Sequence, residues 1–197
     1  MLFMMRLFVI LSILQLSFPA RAQNIDIDLL RKINLDRPVA LDGACKFTSK
    51  TVTATSIAVP LTLLIVGKLS DNKITFNNGL KSALAISASM SVSTILKYAI
   101  SRPRPYTTYP DIQRLSSDFT PSFPSGHTTS AFCTATSLSL MYPKWYVIVP
   151  AYSWATMVGY SRMHLGMHYP FDVLAGAILG TGISLVSFKV QKWIGKN

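Results

Sequence analysis

The chain has 197 residues, enough for one domain with a sizeable core and too few for two ordinary ones. Half the residues are hydrophobic and 14% are charged, against roughly a quarter charged in an average soluble domain, so the composition points to a membrane protein. The eight acids are all Asp: Asp26, Asp28, Asp36, Asp42, Asp71, Asp111, Asp118 and Asp172. Most lie near the N-terminus or in loops and none has metal-ligand spacing, which argues against a metal cofactor, a two-metal hydrolase and a glycosidase carboxylate pair.

The formal charge of +11 is scattered between apolar segments. Nucleic-acid binding would need a basic stripe with groove-reading or aromatic elements. Anionic lipid headgroups and an anionic substrate are the partners that fit instead.

In chain order, residues 1–22 read as an export signal. Arg6 makes a positive n-region, Leu7 to Leu16 an apolar h-region, and Ala20-Arg21-Ala22 a small-x-small cleavage site. Cleavage would leave Gln23 first, and an uncleaved signal anchor is the alternative. Either way, residues after 22 begin on the exported side. Leu29, Leu30 and Ile33 in the polar 23–50 segment are spaced as a short amphipathic helix lying on the membrane face.

Five apolar stretches follow within a single domain, 23–197: 51–69, 79–100, 127–142, 145–160 and 171–190. A spanning helix needs about 20 apolar residues. The third and fourth stretches are short and rich in small hydroxyl residues, a composition suited to helix–helix packing rather than lipid contact. A soluble helical domain is the competing reading. With residue 23 outside, Lys and Arg outnumber Asp by seven to one inside and by ten to seven outside. The outer cations concentrate around 97–114 and 162, the region assigned below to a site, so the signal decides the orientation. Two cysteines, Cys45 and Cys133, are too few for a disulfide framework, and Cys133 reads as a buried free thiol. Residues 101–125 form the one long irregular segment, with Pro103, Pro105, Pro110, Pro121 and Pro124; a loop of that length in a compact domain is usually functional.

Three clusters sit at outer ends of the apolar stretches: Lys97, six residues, Arg104-Pro105; Pro124-Ser125-Gly126-His127; and Ser161-Arg162, five residues, His168, three residues, Asp172. Lys97, Arg104 and Arg162 would repel one another unless an anion filled the gap between them. Ser125 and Gly126 open a helix, where backbone amides can face an anion and a glycine leaves room for it. His168 and Asp172 are four apart, so on a helix opening near Pro170 both share one face. Asp172 can then accept the Nδ1–H of His168 and leave Nε2 as a nucleophile. His127 can protonate the leaving oxygen and later activate water.

This pattern resembles the type-2 phosphatidic acid phosphatase superfamily, which includes class A acid phosphatases and vanadium haloperoxidases and carries the signature KX6RP, PSGH and SRX5HX3D. The resemblance covers roughly residues 90–180. It implies an all-α membrane bundle of about five core helices. It also implies phosphate binding by Lys97, Arg104, Ser125, Gly126 and Arg162, catalysis by His168, His127 and Asp172, and support from Ser161. The implied activity is cofactor-free hydrolysis of a lipid phosphate or diphosphate at the periplasmic face of a bacterial-type inner membrane. Undecaprenyl diphosphate, phosphatidylglycerophosphate and lipid A are the implied substrates. A soluble exported acid phosphatase, a phosphotransferase and a haloperoxidase remain alternatives on the same site. Outside the motifs, His164 reads as a loop or rim residue and Arg102 as a possible headgroup contact, while Tyr106, Tyr109 and Trp145 read as interface aromatics.

Overall fold

A computed structural model describes residues 25–194; the export signal read over 1–22 lies outside them. Among the described residues the secondary structure is helical, without strands. Helix α1 covers 25–34 and is followed by a 3-10 turn, Val39–Leu41. The remaining helices are α2 (Asp42–Leu69), α3 (Lys73–Ile100), a single turn α4 (Pro105–Thr108), α5 (Gly126–Met141), α6 (Trp145–His164) and α7 (Pro170–Ile194). The five apolar stretches coincide with α2, α3, α5, α6 and α7. Helix α2 begins nine residues before its apolar stretch, because Arg37 and Asp42 pair at its start (Nε to Oδ1 3.1 Å) and hold the first turn.

Local chemistry sets the helix ends. Asn72 caps α3 by accepting the Thr75 amide at 3.0 Å. Ser101 ends α3 in the left-handed conformation, φ 50°, with its amide donated to Lys97 O at 2.8 Å. Pro103 then prevents the helix from resuming, and Pro105 opens the single turn α4 within the 101–125 segment.

Helix α5 is the centre of the bundle and packs on α2, α3, α6 and α7. Its Thr128, Thr129, Ser130, Ala131, Cys133, Thr134, Ala135, Thr136 and Ser137 are all buried. Small residues let neighbouring backbones approach, and the hydroxyls are satisfied locally or across helices: Ser137 with Ser184 at 3.0 Å, Ser56 with Thr134 at 3.3 Å, and Thr136 with Tyr152 at 2.9 Å. Helix α7 answers with Gly176 and Gly180, one turn apart. A Cβ on Gly180 would lie 2.2 Å from Thr129 O, and one on Gly176 would lie 2.7 Å from Ser125 O.

The outward faces are apolar. Ile57, Leu61 and Ile65 form an exposed i, i+4, i+8 row on α2, and Leu84, Ile95, Leu174, Ile178 and Leu185 are exposed on α3 and α7. Helices α2, α3 and α7 are each long and apolar enough to cross a membrane. This surface belongs to a bundle embedded in lipid and does not suit the soluble alternative. Cys45 and Cys133 are both buried free thiols.

Helix α1 departs from the expected surface-lying segment. Leu30 and Ile27 are buried against Ile112 and Tyr169, although Leu29 remains exposed. Its Asn34 side chain accepts the Gln113 amide at 2.8 Å and donates to His164 O at 2.9 Å. The helix therefore straps the irregular loop to the ends of α6 and α7. Tyr106 and Tyr109 belong to this outer layer rather than to a lipid interface. The Tyr106 hydroxyl donates to Asp118 O at 2.9 Å, and Tyr109 packs edge-on to Tyr169.

The glycine contacts give a direct test. Gly180→Ala should destabilise the protein by roughly 2 kcal/mol, in the range for overpacked cores. Gly182→Ala, where an added Cβ meets nothing within 4 Å, should be neutral or stabilising, as Ala is favoured in helices. Thermal unfolding of both variants in the same detergent reads the difference.

Candidate active site

The three sequence clusters meet at one end of the bundle. Lys97 is in the last turn of α3, Arg104 precedes α4, Arg162 is in the last turn of α6, Gly126 and His127 open α5, and Asp172 lies in the first turn of α7. Loop 109–125 closes over them. Lys97, Arg104 and Arg162 are 8%, 3% and 2% exposed, so water does not solvate their charges.

Protein oxygens hold the cations instead. Lys97 Nζ donates to Pro121 O at 2.6 Å. Arg104 donates from Nε to Thr120 O at 2.7 Å and from Nη1 to Met167 O at 3.0 Å, and its Nη2 meets Asp118 Oδ2 at 2.8 Å. Arg162 Nη1 donates to Ser49 Oγ, while its buried Nε has no partner. Among the described residues Asp118 is the one carboxylate paired with this trio. Burial pushes its carboxyl up, but the Thr120 amide, Arg104 and the Thr120 hydroxyl outweigh that and hold it below the usual carboxylate range. Asp118 is thus an anion at neutral pH, and its carboxylate occupies Arg104.

His168 is 1% exposed and lies in the turn between α6 and α7, two residues before the helix rather than on it. Its Nδ1 faces Asp172 Oδ2 at 3.5 Å and Ser122 Oγ at 3.4 Å. Ser122 donates its own hydroxyl hydrogen to Asp172 Oδ2 at 2.5 Å, so its lone pairs are open to an Nδ1–H. This arrangement favours the tautomer with Nε2 unprotonated. Nε2 lies 3.5 Å from Arg104 Nη1, beside the cations. Burial above all, opposed by the Asp172 bond and reinforced by Arg104 and Arg162, pushes the imidazole pKa down to about 3. His168 is therefore neutral across the physiological range.

A cavity of about 400 Å³ joins Lys97, Gly126, His127 and His168 with Asp118 and Thr120. Its remaining walls are Val52, Thr53, Ser56, Ile57, Ile86, Met90 and Ser130 from α2, α3 and α5. A second cavity of about 380 Å³ touches His127 and Arg162 and is lined by Lys46, Lys50 and Ser49. His127 stands between the two.

Several expectations need correcting. The Ser125 amide does not face the cavity: it donates to Asp172 O at 3.0 Å, leaving the first-turn amides of Gly126 and His127 without intrahelical partners. The Ser161 hydroxyl donates to Val158 O within its own helix at 2.7 Å, not to a side chain of the site. His164 is no rim residue; it is fully buried with Nε2 2.7 Å from Asp42 Oδ1. Arg102 is not turned to headgroups but bonded to Asp172 and Asp26. Sequence reasoning also missed Asp118, Thr120 and Ser122. Length and proline content mark the 101–125 loop as a whole, yet nothing local distinguishes these residues within it.

Two imidazoles and three buried cations at one end of an apolar helical bundle define a phosphate-handling membrane protein. Comparison with known proteins makes the class specific: the model of the PAP2 superfamily matches residues 78–196, and the chain belongs to that superfamily as one of its phosphatases. It is 31% identical over 191 residues to an undecaprenyl-diphosphatase of Sulfolobus acidocaldarius, covering 94% of this chain and 88% of that one. With phosphatidylglycerophosphatase B of Bacillus subtilis it shares 32% identity over 136 residues, covering 64% of each. Among solved structures it resembles LpxE of Aquifex aeolicus (TM-score 0.70, 30% identity, 84% of this chain and 95% of that one). It also resembles the transmembrane PAP2-type phosphatidylglycerolphosphate phosphatase of Bacillus subtilis (TM-score 0.72, 28% identity, 88% of each).

Because Asp118 occupies Arg104, it competes with any incoming anion. Asp118→Asn should lower the inhibition constant of inorganic phosphate by about tenfold at pH 7, equivalent to ~1.4 kcal/mol. Competition persists down to pH values below the usual carboxylate range, where Asp118 becomes protonated. Phosphate inhibition at pH 7 checks the first point, and a ratio of inhibition constants between wild type and Asp118→Asn that stays constant from pH 8 down to pH 4 checks the second.

Proposed function

We propose that the protein hydrolyses a lipid phosphate monoester or diphosphate without a metal, through a phosphohistidine on His168. The observation that carries the lipid reading is the composition of the larger cavity. Its inner end holds Lys97, His127 and His168, and its outer walls include Ile57 and Met90, which are 59% and 52% exposed on the apolar surface of the bundle. A phosphate seated among the cations can therefore remain attached to a chain lying in the bilayer. A polyprenyl diphosphate is the leading substrate, supported by similarity along nearly the whole chain to an undecaprenyl-diphosphatase. Phosphatidylglycerophosphate and lipid A are the other members of the panel to be tested.

In the proposed reaction the Nε2 lone pair of His168 attacks phosphorus. The bond to the leaving oxygen breaks, and His127, protonated once the bound phosphate offsets the neighbouring cations, gives that oxygen a proton. Lys97, Arg104 and Arg162 stabilise the equatorial charge of the transferring group, the part that magnesium takes in other phosphoryl-transfer enzymes. Asp172 and Ser122 hold the Nδ1–H side and stabilise the imidazole while it carries phosphate. Neutral His127 then takes a proton from water, whose oxygen displaces His168 and releases inorganic phosphate.

Chain direction supports an orientation. Helix α2 starts at the site end, α3 returns to it, and residue 25 lies in the helix strapped across it. With an export signal before residue 23, the site opens on the extracytoplasmic side of the membrane.

The test is phosphate release from a lipid panel by the detergent-purified protein. His168→Ala should abolish turnover and the acid-labile phosphoenzyme. His127→Ala should let the phosphoenzyme accumulate when the leaving group is good, and EDTA should leave turnover unchanged. Full turnover by His168→Ala would overturn the mechanism.

A further inference from the structure

Arg102 lies outside the three motifs, yet its guanidinium joins two buried carboxylates. Nη1 donates to Asp172 Oδ1 at 2.6 Å, and Nη2 donates to Asp26 Oδ2 at 2.6 Å. Asp172 and Asp26 are 0% and 1% exposed. The guanidinium lies over the Tyr169 ring, 3.8 Å from its centroid. The other oxygen of Asp26 accepts the Phe171 amide at 2.8 Å, in the first turn of α7 where the helix leaves N–H groups unpaired. Asp172 Oδ2 accepts from Ser122 Oγ and, at 3.0 Å, from the Tyr169 amide. All four carboxylate oxygens therefore have donors.

We infer that Arg102 and Asp26 are positioning residues for the histidine nucleophile, the outer half of a chain His168–Asp172–Arg102–Asp26 that fixes the imidazole from helix α1. The inference rests on His168 being the nucleophile, as proposed above. Neither residue lines the cavity shared by His127 and His168; Arg102 borders an adjoining outer groove with Ser101 and Pro103, which meets that cavity at Asp118 and Thr120. They act through Asp172 and do not touch the phosphate.

The physical argument is one of geometry and charge together. Asp172 must present Oδ2 to His168, and a carboxylate is free to rotate unless its second oxygen is tied. Arg102 ties Oδ1 and compensates a charge that would otherwise be buried singly. The planar fork of a guanidinium fixes two acceptors at set positions, which a lysine ammonium, a single point charge, does not. Asp26 takes the second arm of the fork, so the guanidinium plane cannot swing away from Asp172. Because Asp26 belongs to α1, seating that helix on the loop and seating the His168 ring are one event.

The experiment measures kcat and KM of the full-length protein in detergent with a lipid phosphate, for Arg102→Gln, Arg102→Lys, Asp26→Asn and the Arg102→Gln/Asp26→Asn double variant, with His168→Ala as control. Arg102→Gln should lower kcat by about 10- to 100-fold, the range for losing the partner that orients a functional histidine, with KM changed less than about threefold. Arg102→Lys should recover part of the loss. Asp26→Asn should lower kcat by a smaller factor, and the double variant should be no worse than Arg102→Gln, because Asp26 acts through Arg102. If Arg102→Gln does not fold, Arg102→Lys alone and combined with Asp26→Asn apply the same criterion. A rise in KM at unchanged kcat, or losses that multiply in the double variant, would overturn the inference. Wild-type kcat in Arg102→Gln beside an inactive His168→Ala would also overturn it while leaving the nucleophile assignment intact. Activity in His168→Ala would remove that assignment instead.

Discussion

Three cations enclosed together with a single paired carboxylate are the constraint on which this structure turns. An isolated buried charge costs several kcal/mol, and like charges share that cost badly. The protein offsets the cost with backbone carbonyls of Thr120, Pro121 and Met167 and the hydroxyl of Ser49, none of which cancels the positive charge. Arg162 Nε stays without a partner. A site built in this way is completed by an anion. The carboxylate of Asp118, 2.8 Å from Arg104 Nη2, fills part of that role.

The same constraint accounts for the loop and for α1. A 17-residue irregular segment between α4 and α5 would be a liability in a compact bundle if it served only to connect helices. Here its carbonyls are the ligands that hold Lys97 and Arg104 in place, so it must itself be held. Asn34, the Leu115 amide on Leu165 O and the Ser122 amide on Arg102 O do so. Below it, close packing of α5 on α7 at Gly176 and Gly180 fixes the relative height of His127 and Asp172. A shift between those two helices would part His127 from Asp172, and with it from His168.

How much of this was readable from the chain depends on sequence distance. Lys97 with Arg104, and His168 with Asp172, are seven and four residues apart, so short chain segments bring them together, although Arg104 lies beyond the end of α3 and His168 before the start of α7. The apolar stretches likewise announce α2, α3 and α7, whose lipid-facing sides are continuous. The partners that orient the site are far apart in sequence: Ser122 and Asp172 by 50 residues, Arg102 and Asp172 by 70, Arg102 and Asp26 by 76. No local pattern encodes such pairs. The amphipathic spacing of Leu29, Leu30 and Ile33 did identify a helix. It could not show that the helix packs on Tyr169 and Ile112 instead of on lipid, because a protein surface and a membrane interface ask for the same periodicity. Ser161 illustrates the opposite error: a motif residue whose hydroxyl is spent inside its own helix.

The central claim is that segments from α3, α5, α6 and α7 surround one tetrahedral anion. A structure of the detergent-solubilised protein with orthovanadate tests this most directly. Vanadium should lie within bonding distance of His168 Nε2, with its oxygens on Lys97, Arg104 and Arg162 and the Asp118 carboxylate displaced from Arg104. Vanadate bound away from His168, or Asp118 unmoved on Arg104 with vanadate bound, would contradict it.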